Sequence, residues 1–99
     1  MYGTIARLRL KPGMGAQAAA YMQERYEDAI PGSMGAYIYQ MDADADELYL
    51  VVMFDSKESY VANANSPAQN ARYEEMLGFL AGPPEWHDGA IIYSQTAAA

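Results

Sequence analysis

Apolar and polar positions along this chain alternate with period two in some stretches and recur at helical spacing in others. The clearest strand is Glu47–Phe54. Leu48, Leu50, Val52 and Phe54 fall on one of its faces, Tyr49, Val51 and Met53 on the other. A strand with one wet face would alternate with polar residues. Both faces of this one are apolar, so both call for a cover. Tyr2 to Leu10 alternates as well, with Tyr2, Thr4, Ala6, Leu8 and Leu10 opposite Gly3, Ile5, Arg7 and Arg9, and Lys11-Pro12-Gly13 stops it. Met34 to Met41 sets Tyr37, Tyr39 and Met41 against Ala36 and Ile38. Ala90 to Gln95 is predicted as the last strand, apolar on both faces through Ile91, Ile92 and Tyr93.

Between these runs the period changes to that of a helix. Met14 to Ile30 carries a stripe of Ala18, Met22, Tyr26, Ala29 and Ile30, while Gln17, Glu24, Glu27 and Asp28 face away, and Pro31-Gly32 ends it. Asp55 with Glu58 reads as the N-cap of a short helix whose apolar side is Tyr60, Val61 and Ala64. Ser66-Pro67-Ala68-Gln69 is a stronger start, with a Ser cap, Pro at the first position and Gln at the third. That helix reaches about Leu80 through Tyr73, Met76 and Leu77, with Gly82 placed to end it and Pro83-Pro84 forbidding continuation. Glu85 to Gly89 is expected to be a connection, and residues 96–99 a frayed tail after a single domain over 1–95.

The order is β-α-β-β-α-β, the ferredoxin-like α+β pattern with a four-stranded antiparallel sheet. Its helices cover one face only. The simplest cover for the other is a second copy of the sheet, which predicts a homodimer joined through the sheet face, a dimeric α/β barrel.

Composition narrows the function. Ninety-nine residues hold one domain, and the formal net charge is −7. That argues against nucleic acid, whose phosphates need a basic patch, and against an anionic membrane surface. No apolar run approaches the roughly 18 residues of a membrane span. Met1 runs straight into a strand-like segment, so no signal peptide is expected, and the absence of cysteine fits a cytoplasmic protein. Nine tyrosines and seven methionines suit a ligand cavity or an interface as well as ordinary core filling. The Asp42-x-Asp44-x-Asp46 spacing invites a calcium loop. Such a loop needs Gly sixth and Glu twelfth, and those positions are Glu47 and Met53. It is instead a solvated hairpin connection. With one His and no Cys, no metal site and no cofactor are expected.

Several stretches also resemble the antibiotic biosynthesis monooxygenase-like domain family of dimeric α/β barrels. Ile5-Ala6-Arg7-Leu8-Arg9 with Lys11-Pro12-Gly13 is similar to the family's first strand and turn, and Pro31-Gly32 with Gly35 to its entry into the second strand. Phe54-Asp55-Ser56 stands where the family usually has a Trp. Tyr60 to Ala64 followed by Ser66-Pro67 is similar to its "a-l-x-x-H-x-x-s-P" stretch. The resemblance implies activities that include cofactor-independent oxygenation of polycyclic aromatic or quinol substrates and, in one branch, haem degradation. Two frequent His positions of the family are Asn63 and Ala68 here. The haem branch's Asn and His correspond to Ala6 and the Tyr73/Glu75 neighbourhood, so haem is not expected.

The side chains that could carry chemistry are few. His87 is either a general base or a solvated loop His, and its lack of an evident partner favours the latter. Trp86 either lines a cavity mouth or plugs the edge of the core. Arg7 and Arg9 share a face that should meet the partner copy, which favours a structural role. Tyr60, Asn63 and Tyr73 lie on helices expected to roof a cavity and are candidates for orienting a phenolic or quinone-like ligand. Two functions follow as expectations. One is a cofactor-independent monooxygenase acting on a small phenolic or quinol aromatic, with His87 and Tyr73 as catalytic candidates. The other is a non-catalytic module that binds a small ligand or only dimerises.

Overall fold

The computed structural model describes residues 1–25 and 30–97. Strands β1 (Tyr2–Arg9), β2 (Ser33–Gln40), β3 (Glu47–Phe54) and β4 (Glu85–Ala90) form one antiparallel sheet in the order β2-β3-β1-β4. Helices α1 (Gly15–Arg25), α2 (Lys57–Ala64) and α3 (Pro67–Leu77) pack on one face, the α+β ferredoxin-like arrangement expected from the pattern. Among the described residues no helix is long and apolar enough to cross a membrane.

The register fixes which side chains meet the helices. Leu8 pairs with Leu48, Ala6 with Leu50, Thr4 with Val52 and Tyr2 with Phe54. Pairing partners point the same way, so these eight side chains share one face. Ala6, Leu8, Leu10 and Leu48 are buried beneath Ala18 and Met22 of α1 and against Met76 and Leu80. Leu8 and Phe54 are the largest fully buried side chains, each worth about 1.5–3 kcal/mol on burial. Tyr21 Oη donates to Arg72 O at 3.0 Å and Arg25 pairs with Glu75 at 3.0 Å, tying α1 to α3. The first helix was expected to run on to Ile30; Tyr26 to Ala29 lie outside the described residues.

Three expectations need correction. The last strand is Glu85–Ala90, not Ala90–Gln95. Its Glu, His, Asp and Gly content hid it, because backbone pairing with β1 from Arg7↔Glu85 to Tyr2↔Ala90 outweighs low β-propensity, and an edge strand tolerates charge. Residues 91–97 hold no regular structure, and Ile92 and Tyr93 are exposed. The long helix ends at Leu77 with Gly78 as its cap, not at Gly82. Beyond it, Lys11 N donates to Phe79 O at 2.9 Å and Ala81 N to Arg9 O at 2.8 Å, so Leu80 is buried as a bridge to Leu10. The cap of α2 is Ser56, one residue after the expected Asp55. Its Oγ accepts from Ser59 N at 3.1 Å.

The opposite face of the sheet carries Ile5, Tyr37 and Tyr39, which are 52%, 64% and 55% exposed. Beside them Arg7 and Arg9 both reach Glu47, at 2.9 and 3.2 Å, and Arg9 reaches Asp44 at 3.4 Å. The acidic connection is internally bonded. Asp46 N donates to Asp44 Oδ1 at 2.9 Å, and Gly13 N to Asp46 Oδ1 at 3.2 Å.

Gly32 joins β2 to the start of α2. Its φ is +81°, its carbonyl accepts from Asp55 N at 2.9 Å, and a Cβ there would lie 2.5 Å from the Ser59 side chain. Gly32→Ala is expected to cost about 2 kcal/mol or more from backbone strain and the clash. At Gly82 an added Cβ meets nothing within 4 Å. Urea unfolding midpoints should fall sharply for Gly32→Ala and hardly move for Gly82→Ala; equal midpoints would contradict the account.

Candidate functional site

Helix α1 covers the Leu8–Leu48 end of the sheet, and α2 and α3 stand over the other end. Two Ser caps set that corner. Ser56 starts α2, and Ser66 Oγ accepts from Gln69 N at 3.1 Å while donating to Asn63 O at 2.8 Å. Between these helices and the sheet lies a cleft of about 800 Å³. Thr4, Ala36, Leu50, Val52 and Phe54 form its floor. Tyr60 and Asn63 of α2 and Tyr73 and Met76 of α3 form its walls, and Trp86 and Asp88 close it from β4. That size suits a small-molecule guest, and the walls are mostly apolar and aromatic.

Of the residues singled out from sequence, Tyr60, Asn63, Tyr73 and Trp86 come together here. Tyr73 and Trp86 pack ring to ring with centroids 6.4 Å apart. Asn63 Nδ2 donates to Gln69 Oε1 at 3.4 Å, a long bond that joins two polar cleft side chains. His87 is not among the lining residues. It follows Trp86 on a strand, so it points to the opposite face, where Nε2 lies 3.1 Å from Glu85 Oε1 in solvent. Arg7 shares that face and reaches Glu85 at 3.8 Å.

Sequence reasoning missed Thr4 and Asp88. Tyr60 Oη donates to Asp88 Oδ1 at 2.7 Å. The Tyr60 hydroxyl is pushed up to about 12 by desolvation first and by the bond to Asp88 second. The Tyr60 ring is held between Tyr2 and Phe54, at 5.4 and 5.6 Å between centroids. Thr4 is 4% exposed and pairs with Asp88 across β1 and β4. Its Oγ1 is buried beside the Tyr60 hydroxyl, and its hydrogen bonding toward that oxygen opposes part of the rise. Alternation from Trp86 would have placed Asp88 in the cleft had Glu85–Ala90 been seen as a strand.

Among the described residues none that lines the cleft is basic, and Asp88 is the only one there with a formal charge. Among the described residues no cluster of three or more His, Cys, Asp and Glu side chains is arranged to hold a metal.

The model of the antibiotic biosynthesis monooxygenase family matches residues 1–74. The fold agrees with solved structures. One from Chloroflexus aurantiacus, provisionally named an antibiotic biosynthesis monooxygenase, is 23% identical with a TM-score of 0.80 and covers 96% of each chain. Another so named, from Bordetella bronchiseptica, is 17% identical with a TM-score of 0.81, over 93% of this chain and 97% of its own. A Nitrosomonas europaea protein of unknown function is 17% identical with a TM-score of 0.79, over 99% and 95%. No curated protein matches. The chain belongs to the antibiotic biosynthesis monooxygenase family. The matched residues stop before β4, so Trp86 and Asp88 lie beyond them.

The raised Tyr60 hydroxyl gives a pH signature. Between about 10 and about 12 the unfolded chain loses this proton before the folded one does, so stability drains as pH rises through that window. Tyr60→Phe lacks the group. The gap in melting temperature between wild type and Tyr60→Phe should be widest below pH 9 and narrow toward pH 12. A gap that widens with pH would contradict the assignment.

Proposed function

We propose that this protein is a cofactor-independent monooxygenase acting on a small phenolic or quinol-type aromatic bound in the cleft between α2, α3 and the sheet. The observation that carries the reading is the cleft itself. It is walled by Tyr73, Trp86 and Met76, floored by apolar strand residues, and set in a chain of this family. A flat ring fits such walls, and its burial excludes water from the reacting carbon. The substrate supplies the electrons. A hydroquinone with an open ring position reacts with dioxygen to give a hydroxyquinone and water. One oxygen atom forms the new carbon–oxygen bond, the other leaves as water, and the ring is oxidised as dioxygen is reduced. The chain contributes orientation through the side chains of Asn63, Tyr60 and Tyr73, and hydrogen bonds to oxygens whose charge changes. His87 stands on the opposite face and takes no part.

A second reading, a non-catalytic binding module, is favoured by two observations: among the described residues no basic side chain lines the cleft, and the family's frequent His is Asn63. Oxygen uptake with a panel of hydroquinones separates the two. Uptake above buffer that falls in Tyr73→Phe and is unchanged in His87→Ala is expected. Uptake equal to buffer across the panel would leave the binding module.

The same proposal includes a homodimer through the open sheet face, in which a second copy covers Ile5, Tyr37, Tyr39, Val51 and Met53. A face this apolar exceeds what monomers usually leave wet. The stretch from 91 to 95 adds nothing to this case, because it is not part of the sheet. Light scattering at micromolar concentration should give twice the 10.9 kDa chain mass. Val51→Asp should shift it to monomer, since the new carboxylate is buried unpaired only in the dimer. A wild-type monomer would sink the proposal.

A further inference from the structure

The polar end of the cleft carries a second, sharper message about its guest. We infer that Asp88 is a docking acceptor for the hydroxyl of a neutral aromatic alcohol and that the cleft rejects aromatic anions. The inference rests on the ligand class proposed above, but not on any oxidation of it.

Two observations carry it. First, Asp88 Oδ1 accepts from Tyr60, while Oδ2 makes no hydrogen bond among the described residues. A carboxylate accepts and cannot donate, so what it seeks from a guest is an O–H or N–H. Second, Asp88 follows Trp86 by two residues on the same face of β4. Two strand residues advance about 7 Å, roughly one ring plus a hydrogen bond, so a ring stacked against Trp86 and Tyr73 brings its hydroxyl to Asp88.

The charge balance sets the other half. Among the described residues Asp88 is the only formal charge lining the cleft, and no Lys, Arg or His lines it to offset a ligand carboxylate. A carboxylate or phosphate in place of the hydroxyl meets like charge and finds no strong donor.

Titration calorimetry at neutral pH with naphthol, methoxynaphthalene and naphthoate tests this on the full chain. The three share a ring system and differ in donor and charge. Naphthol is expected to bind roughly tenfold or more tighter than methoxynaphthalene, the scale of one hydrogen bond to a charged group, with naphthoate weakest. Asp88→Asn should weaken naphthol and strengthen naphthoate, closing the gap between them, a change of selectivity that a merely structural Asp88 would not produce. Equal affinity for naphthol and methoxynaphthalene, no binding of any probe, or Asp88→Asn without effect on the order would each overturn the inference. Donor-selective binding without oxygen uptake would overturn the oxygenase alone; uptake by a protein indifferent to donor and charge would overturn this inference alone.

Discussion

A four-stranded sheet has two faces, and a chain this short supplies helices for only one of them. The central strand β3 is apolar on both. Its helix-side residues, Leu48 through Phe54, join β1 in the core, and their burial is the main stabilising term available to a domain of this size. Its other side, with Ile5, Tyr37 and Tyr39 from its neighbours, stays in solvent in the single chain. The proposed second copy answers that constraint.

The same shortage of helix creates the cleft. Helix α1 seals one end of the sheet against Leu8 and Leu48, while α2 and α3 bridge the other end without filling it. The gap is framed by elements whose positions are locally determined: two Ser caps, Gly32 against Ser59, and the β1–β4 register that sets Thr4 beside Asp88. Polar groups in the cleft are therefore held on strands and helices rather than on loops, the condition for a site that keeps its geometry.

Much of the fold was legible because period and punctuation agreed. Glu47–Phe54 has the bounds the alternation gave, and Ser66-Pro67 starts α3 as its motif said. What stayed hidden was set by pairing. Glu85–Ala90 has the composition of a loop and becomes a strand because β1 offers it an open edge. That one error carried others. It drew the last strand at Ala90–Gln95, put His87 and Trp86 on a connection with no defined facing, and left Asp88 unconsidered. Tyr60, Asn63 and Tyr73 could be placed over the sheet from helical spacing alone. Thr4 could not be singled out, since a lone Thr among alternating residues looks like any other inward position, and only its place beside the Tyr60 hydroxyl marks it.

The central claim is that guests enter between α2, α3 and the sheet, with their hydroxyl toward β4. Amide chemical-shift mapping by NMR during titration with a neutral hydroquinone tests it most directly. Shifts concentrated at Thr4, Tyr60, Asn63, Tyr73, Trp86 and Asp88, with Tyr37 and Tyr39 quiet, are predicted. Shifts concentrated at Ile5, Tyr37, Tyr39 and Val51 instead would place the guest on the open sheet face and contradict the account.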